Sequence, residues 1–189
     1  MTQEEFDESF SLFPLEEVLK TTSSTKAKKL LKTFQCSRNI DLQDFLYHKA
    51  VTFEKHFRAR TYLYISNDTQ EVAAYFTIAI SVLFTDGISE DVVLLLDGYK
   101  KETKTIPCFL IGQLGKSDKF ASKKIGEYIL SEAVSIIDDS QSALGGRFIL
   151  LDAINEKKLI KFYEDNAFFP IEDNPESDSI KMIKPYFDS

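Results

Sequence analysis

Between Thr105 and Asn166 the chain alternates twice between two hydrophobic periods, and this alternation restricts its fold more than any other feature. Thr105 to Leu114 reads as a strand through Phe109, Leu110 and Ile111, with Pro107 near its start in a position that suits a sheet edge. Ser122 to Asp138 places Ile125, Ile129, Ala133, Ile136 and Ile137 at helical spacing, which predicts an amphipathic helix. Arg147 to Ala153 is a continuous apolar strand, and Asn155 to Asn166 a second helix. Strand, helix, strand, helix in that order requires helices packed on a sheet, a mixed α/β architecture.

The flanking stretches extend this pattern. Leu42, Phe45, Leu46, Ala50 and Phe53 recur near helical spacing and predict a helix over Asp41 to His56, capped by Asp41. Thr61 to Ser66 and Val72 to Phe84 read as an antiparallel hairpin turning at Asn67 to Gln70. Ser89 to Leu96 predicts a short buried helix that ends at the Asp97-Gly98 turn, and Phe168 onward supplies two last strands. Thr21 to Thr25, five Ser/Thr residues ahead of a lysine-rich stretch, reads as a loop within the N-terminal elements of residues 1–40. With 189 residues the whole chain fits a single domain, 1–189.

Charge and cysteine usage narrow the function classes. A net charge of −7 disfavours broad nucleic-acid binding, although a local basic patch is compatible with it. Cys36 and Cys108 have neither disulfide-scaffold density nor zinc-site spacing, so both are expected reduced, which points to the cytoplasm. The chain opens on Glu4, Glu5, Asp7 and Glu8, and no apolar run approaches a membrane span. His48 and His56, eight residues apart on the predicted helix, are too far apart to share a metal, and no metal is expected.

The segment Lys116 to Glu127 breaks helix rules in a way that suits an anion. On the predicted helix start at Ser122, Lys123 and Lys124 fall in the first turn, where the dipole disfavours cations, and Gly126 falls in the interior. A pyrophosphate on free backbone N–H groups would relieve both conflicts. The alternative is that the lysines are solvated and Gly126 eases packing. Lys100, Lys101, Lys104, Lys116 and Lys119 either guide an anion toward this loop or form a solvated face.

Residues 105 to 169, TIPCFLIGQLGKSDKFASKKIGEYILSEAV through RFILLDAINEKKLIKFYEDNAFF, resemble the coenzyme-binding core of the GNAT acetyltransferases. The resemblance implies a central, mostly antiparallel twisted sheet flanked by helices on both faces, with acetyl-CoA as co-substrate. The family loop Q/R-x-x-G-x-G/A corresponds to Ala121 to Gly126, where only the final Gly is kept and Lys124 replaces a Gly. The family's coenzyme contacts carry over to Ile111, Gly112, Gln113 and Leu114 on the strand, to Ser122, Lys123, Lys124, Ile125, Gly126 and Glu127 at the loop, and to Asn155. The late helical Tyr163 corresponds to the family's general acid, which protonates the departing thiolate. Read from the residues alone, Tyr163 shares a face with Leu159 and Ile160 and is equally a core tyrosine, while Asn155 is equally an N-cap. Ala167 stands where the family has Gly, which leaves Asn166 as the left-handed residue after the helix.

The implied reaction is acetyl transfer to the primary amine of a small molecule or peptide. No general base is assignable, and Tyr75, Thr77 and Gln113 are merely polar groups placed to face a cleft. A degenerate fold that binds acyl-CoA or a protein partner without catalysis is a different class compatible with the altered loop. FQCSRNIDLQDFLYHKAV, RTYLYIS, VAAYFTIA and IPCFLIGQLG further resemble the acetyltransferase toxins of toxin-antitoxin pairs, which implies acetylation of aminoacyl-tRNA as a second alternative. A homodimer is compatible with all of these. The acidic tail residues Glu172, Asp173, Glu176 and Asp178 either attract a cationic amine or form a solvated loop.

Overall fold

The computed structural model describes residues 1–171 and 177–187. Its elements in chain order are α1 (Gln3–Ser9), β1 (Phe10–Pro14), α2 (Leu15–Thr21), α3 (Ser24–Leu31), α4 (Ile40–Asp44), a π turn (Phe45–Lys49), α5 (Ala50–Lys55), β2 (Arg60–Ser66), β3 (Val72–Phe84), α6 (Glu90–Asp97), β4 (Thr105–Lys116), a 3-10 turn (Asp118–Phe120), α7 (Gly126–Leu144), β5 (Phe148–Ile154), α8 (Lys157–Asp165), β6 (Phe169–Pro170) and β7 (Ser179–Pro185). The seven strands are hydrogen-bonded in the order β1-β2-β3-β4-β5-β7-β6. β1–β2, β2–β3, β5–β7 and β6–β7 pair antiparallel, and β4–β5 pairs parallel, giving a mostly antiparallel sheet flanked by helices. Because β4 has β3 and β5 as neighbours, Pro107 does not mark a sheet edge.

The chain forms two compact units, residues 1–79 with 113–135, and residues 80–112 with 136–189. In the first, Leu15, Leu31, Phe34, Leu46, Leu63, Val72 and Tyr75 form a cluster in which none is more than 1% exposed. The predicted hairpin is present and register is fixed by burial: Leu63 faces Tyr75 and Thr61 faces Thr77. β1, unread in the sequence, pairs along its length with β2, from Phe10↔Ser66 to Pro14↔Tyr62. The Ser/Thr stretch at 21–25 is a helix junction, not an extended loop; the Ser23 side chain caps α3 by accepting from the Lys26 N–H, worth about 1 kcal/mol. The predicted single helix from Asp41 is broken by the π turn, and its N-cap is Asn39, whose side chain accepts from the Asp41 N–H. A fixed 3.6-residue period carries no sign of such an inserted residue.

In the second unit, Leu83, Val93, Leu96, Ile106, Cys108, Phe148, Leu150 and Ile183 pack together. Ser89 caps α6 by accepting from the Val92 N–H, and Gly98 closes the helix in the left-handed conformation at φ +79°. Arg147, expected to begin a strand, lies just before β5 instead. Its guanidinium donates to the carbonyls of Leu96 (2.8 Å) and Leu95 (3.1 Å), satisfying the end of α6. Cys36 and Cys108 are both free and buried. Among the described residues no helix is long and apolar enough to cross a membrane.

Candidate functional site

The loop between β4 and α7 belongs to the first unit and is built from backbone hydrogen bonds. The Ser117 N–H donates to the Ala73 carbonyl (2.8 Å), the Asp118 N–H to the Gln35 carbonyl (2.7 Å), and the Lys123 N–H to the Phe120 carbonyl (3.0 Å). Side chains lock the same segment: the Ser37 N–H donates to Asp118 Oδ2 (2.8 Å) and the Gln35 N–H to Ser117 Oγ (3.2 Å). This contact with the Ser37 amide is also the main cause holding the Asp118 carboxyl below its usual range.

Lys116 does not reach outward to an anion. Its Nζ donates to the carbonyls of Ala121 (2.9 Å) and Lys123 (2.7 Å), which folds the loop around the ammonium. Lys119 pairs with Glu71 at 2.5 Å and Lys101 with Asp91 at 3.7 Å, so these two lysines are engaged within the chain. Gly115 at the loop's root lets the backbone pass close to another side chain, because a Cβ there would meet Leu42 Cδ1 at 2.7 Å. The Leu42 carbonyl accepts in turn from the Tyr75 hydroxyl at 2.6 Å. Tyr75 is therefore a wholly buried core residue and Thr77 is also buried, so neither is the cleft-facing group the sequence suggested; Gln113 is half-buried.

The helix begins at Gly126, four residues later than the sequence predicted. Lys123 and Lys124 are exposed residues ahead of α7, not members of its first turn, and Gly126 opens the helix instead of interrupting it. The Ile125 carbonyl accepts the first helical hydrogen bond, from the Ile129 N–H at 3.2 Å, and the Ile125 side chain is fully buried. The backbone N–H groups of Ser122, Lys124, Ile125, Gly126 and Glu127 have no acceptor among the described residues. A row of unpaired donors at the positive end of a 19-residue helix fits a phosphate group, and the flanking lysines add charge of the right sign. Ser122 to Glu127 thus form the loop and first turn ahead of and into α7, with a later helix start than the spacing suggested. Ile111, Gly112, Gln113 and Leu114 lie in line on β4, with Ile111 buried and Gly112 exposed.

Asn155 and Tyr163 lie in the second unit. Glu156, not Asn155, occupies the N-cap of α8. Asn155 Nδ2 donates to the Ser177 carbonyl (2.9 Å) and its N–H to the Asp178 carbonyl (3.0 Å). Asp178 of the acidic tail is tied there through its backbone, while Glu172, Asp173 and Glu176 lie outside the described residues. After α8 the left-handed residue is Ala167 at φ +63°, not Asn166, whose Nδ2 donates to the Phe162 carbonyl. That turn sends Phe168 back under the helix, where its ring meets Tyr163 edge-on at 5.9 Å.

The Tyr163 ring is buried between Phe162 and Phe168, and burial pushes its phenol up to about 12. No hydrogen bond of the described residues involves its hydroxyl. Thr61 Oγ1 is the one fully enclosed side-chain oxygen without a partner among them, so the Tyr163 hydroxyl retains open space. A protonated, unpartnered phenol packed among aromatic rings is suited to donating a proton. Among the described residues no group of three or more His, Cys, Asp or Glu side chains is arranged to hold a metal ion.

Charge is distributed unevenly along the chain. Residues 20–60 hold ten of the 23 Lys and Arg residues and three of the 30 Asp and Glu residues, a net charge of +7 inside a chain of −7. Lys26, Lys28, Lys29, Lys32, Arg38, Lys49, Lys55 and Arg58 in this segment are all exposed. The signal was available as charge asymmetry along the chain, which the overall sum conceals.

No protein-family model matches the sequence, and a search against curated proteins gives no match. Solved structures match along nearly the whole chain. AtaT complexed with acetyl-methionyl-tRNAfMet superposes with a TM-score of 0.68 at 18% identity, covering 93% of this chain and 94% of AtaT. A tyrosine-to-phenylalanine variant of KacT gives a TM-score of 0.70 at 16% identity over 93% and 95% of the two chains. A variant AtaT toxin bound to the C-terminus of the antitoxin AtaR and acetyl-CoA gives 0.66 at 17% identity over 93% and 94%. At this identity the likeness concerns the fold, which by itself does not fix function. The chain has the GNAT-like fold of the toxin AtaT and of KacT.

Proposed function

We propose that this protein transfers the acetyl group of acetyl-CoA to the amino group of an aminoacyl-tRNA. The observation that carries the reading is the match along 93% of the chain to AtaT, whose solved complex holds an acetylated aminoacyl-tRNA. The same comparisons favour a tRNA acceptor over the small-molecule or peptide amine that the GNAT core alone suggested. The exposed basic segment of residues 20–60 supports an RNA partner, since neutralising phosphates is the main source of affinity in such complexes.

Acetyl-CoA, when bound, supplies an activated thioester whose acyl carbon accepts an amine nitrogen, with a C–N bond formed and the C–S bond broken. The unpaired N–H groups of Ser122, Lys124, Ile125, Gly126 and Glu127 would hold its pyrophosphate, and the Lys123 and Lys124 side chains would add attraction. The backbone of Ile111 to Leu114 lines the pantetheine arm, and Asn155 contacts the coenzyme while holding the Ser177 backbone. The Tyr163 hydroxyl would give its proton to the departing sulfur, and the proton released by the attacking amine would return through solvent to the phenolate, which burial favours in its protonated form.

The test is incubation of the purified protein with acetyl-CoA labelled in the acetyl group and a mixture of charged tRNAs. Label is expected in the RNA fraction and should be released with the amino acid on mild alkaline deacylation. Tight coenzyme binding without label transfer to charged tRNA or to a panel of free amines would leave a non-catalytic acyl-CoA binder. Absence of coenzyme binding at millimolar concentration would remove both readings.

A further inference from the structure

The first unit carries a cleft, of about 240 Å3, between α1, β1, β2 and the opening turns of α7. Its lining mixes aromatic rings with polar side chains. Phe6 stacks on Tyr128 with ring centroids 4.6 Å apart, meets Tyr64 edge-on at 5.1 Å, and tilts against Phe10 at 5.3 Å. Two carboxylates, Asp7 and Glu132, complete the lining. Asp7 accepts only from the neutral Gln3 amide, at 2.8 Å, and neither acid has an ion-pair partner among the described residues.

Tyr64 is 5% exposed, yet its hydroxyl makes no hydrogen bond among the described residues. It is not one of the fully enclosed oxygens, so the open space it faces is the cleft it lines. Burial, reinforced by Glu132 and Asp7, raises the Tyr64 phenol and keeps it neutral at physiological pH. The cleft thus presents an unpartnered buried phenol and two carboxylates without an ion-pair partner, the exposed Asp7 and the half-buried Glu132, beside aromatic rings.

An anion is repelled by such a site, and a neutral ligand leaves both charges uncompensated. A guanidinium matches it: the group is planar, weakly hydrated, stacks on aromatic rings, and offers five N–H donors to carboxylate and phenol oxygens. We infer that the cleft lined by Phe6, Asp7, Phe10, Tyr64, Tyr128 and Glu132 binds an alkylguanidinium group, the head of an arginine. The arginine is either a free small molecule or a side chain presented by another polypeptide. This site is separate from the α7 loop and does not depend on the acetyl-transfer reading.

Titration calorimetry with arginine amide, its neutral isostere citrulline amide and a short arginine-containing peptide tests the inference. Arginine amide or the peptide should bind and citrulline amide should not. Glu132→Gln should weaken binding about tenfold and Tyr64→Phe several-fold, with melting temperatures checked for each. Tighter binding of the peptide assigns the arginine to a partner chain, and equal binding assigns it to a small molecule. Acetyl-CoA affinity should be unchanged in Glu132→Gln, which keeps failure here distinct from failure of the loop. No binding of either arginine probe at about 20 mM, equal binding of citrulline amide, or full affinity in Glu132→Gln would overturn the assignment.

Discussion

The ammonium of Lys116 lies 2.7 Å from the carbonyl oxygen of Lys123, across the loop that precedes α7. Read as a free surface charge, Lys116 would steer an anion; bonded in this way, it shapes the segment whose unpaired N–H groups are proposed to hold the pyrophosphate. Burial also draws its pKa below the usual lysine value, with Arg38 adding to the effect. Lys116→Met keeps most of the aliphatic stem and removes both hydrogen bonds. Acetyl-CoA affinity should fall about tenfold and stability by about 1–2 kcal/mol, since the site is only half-buried. Calorimetry and urea denaturation read the two effects separately, and unchanged coenzyme affinity would mean that the loop keeps its shape without the lysine.

Lys124 tests the nature of the phosphate contact. It stands exposed just ahead of α7, where the family loop has a glycine. Lys124→Gly should retain coenzyme affinity within about threefold if backbone donors carry the contact, while Lys124→Glu should weaken it about tenfold or more by charge repulsion. The salt dependence of binding should shrink in the Glu variant. Equal affinity in the wild type and Lys124→Glu would place the pyrophosphate elsewhere.

What could be read from the sequence was set by periodicity. The buried stripe of Ile125, Ile129, Ala133 and Ile137 follows directly from it, while β2 to β5 stand out as apolar, β-branched and aromatic runs because much of each is buried, β3 over Val72 to Thr77 and β5 over Phe148 to Leu151 on both faces. Helix ends were less legible. Ile125 continues the apolar stripe although its residue lies before the first helical turn, so a helix starting at Ser122 and one starting at Gly126 give the same pattern. Ala167 at φ +63° defies the preference for Asn or Gly because its chain direction is imposed by the packing of Phe168 on Tyr163. Arg147 could not be seen as the partner of the α6 carbonyls, since nothing local in the sequence links positions 51 and 52 residues apart. In the candidate site, the loop residues could be picked out as a group from their departure from helix rules, but the role of Lys116 depends on two carbonyls that no sequence pattern encodes.

The pairing of Gly98 with Arg147 should be sensitive to a single methyl group. Gly98 adopts φ +79°, and a Cβ there would meet the Arg147 guanidinium at 2.5 Å. Gly98→Ala therefore combines backbone strain with displacement of the group that satisfies the end of α6. A loss of about 1–3 kcal/mol is expected in denaturant titration. Arg147→Met should cost a similar amount, and the double variant less than the sum, because both changes break the same contact.

The basic segment makes the RNA reading quantitative. Reversing Lys28 and Lys29 together, both exposed on α3, should weaken binding of uncharged tRNA at least tenfold while leaving acetyl-CoA affinity unchanged. The slope of log affinity against log salt should fall by roughly 1–2 in the double variant if both lysines lie on phosphates. A slope identical to that of the wild type would locate the RNA on another surface.

Tyr163 offers the sharpest separation of catalytic from structural roles. Tyr163→Phe keeps the ring between Phe162 and Phe168 and removes only a hydroxyl that has no hydrogen-bond partner among the described residues. Stability should accordingly change by less than about 1 kcal/mol near neutral pH. If the phenol is the general acid, kcat for acetylation of charged tRNA should fall on the order of a hundredfold with little change in acetyl-CoA affinity. The pH dependence has a definite sign. Burial raises the folded-state pKa from 10 to about 12, so the folded protein holds the proton that the unfolded chain loses. The stability associated with this tyrosine is complete below pH 10 and is lost as the pH rises from 10 toward 12, a loss the Phe variant should not show. The catalytic acid should likewise remain loaded up to about the same pH, so any fall in rate below pH 10 belongs to another group. A Phe variant as fast as the wild type on charged tRNA would remove Tyr163 from the mechanism and leave amine positioning and coenzyme binding as the sources of rate.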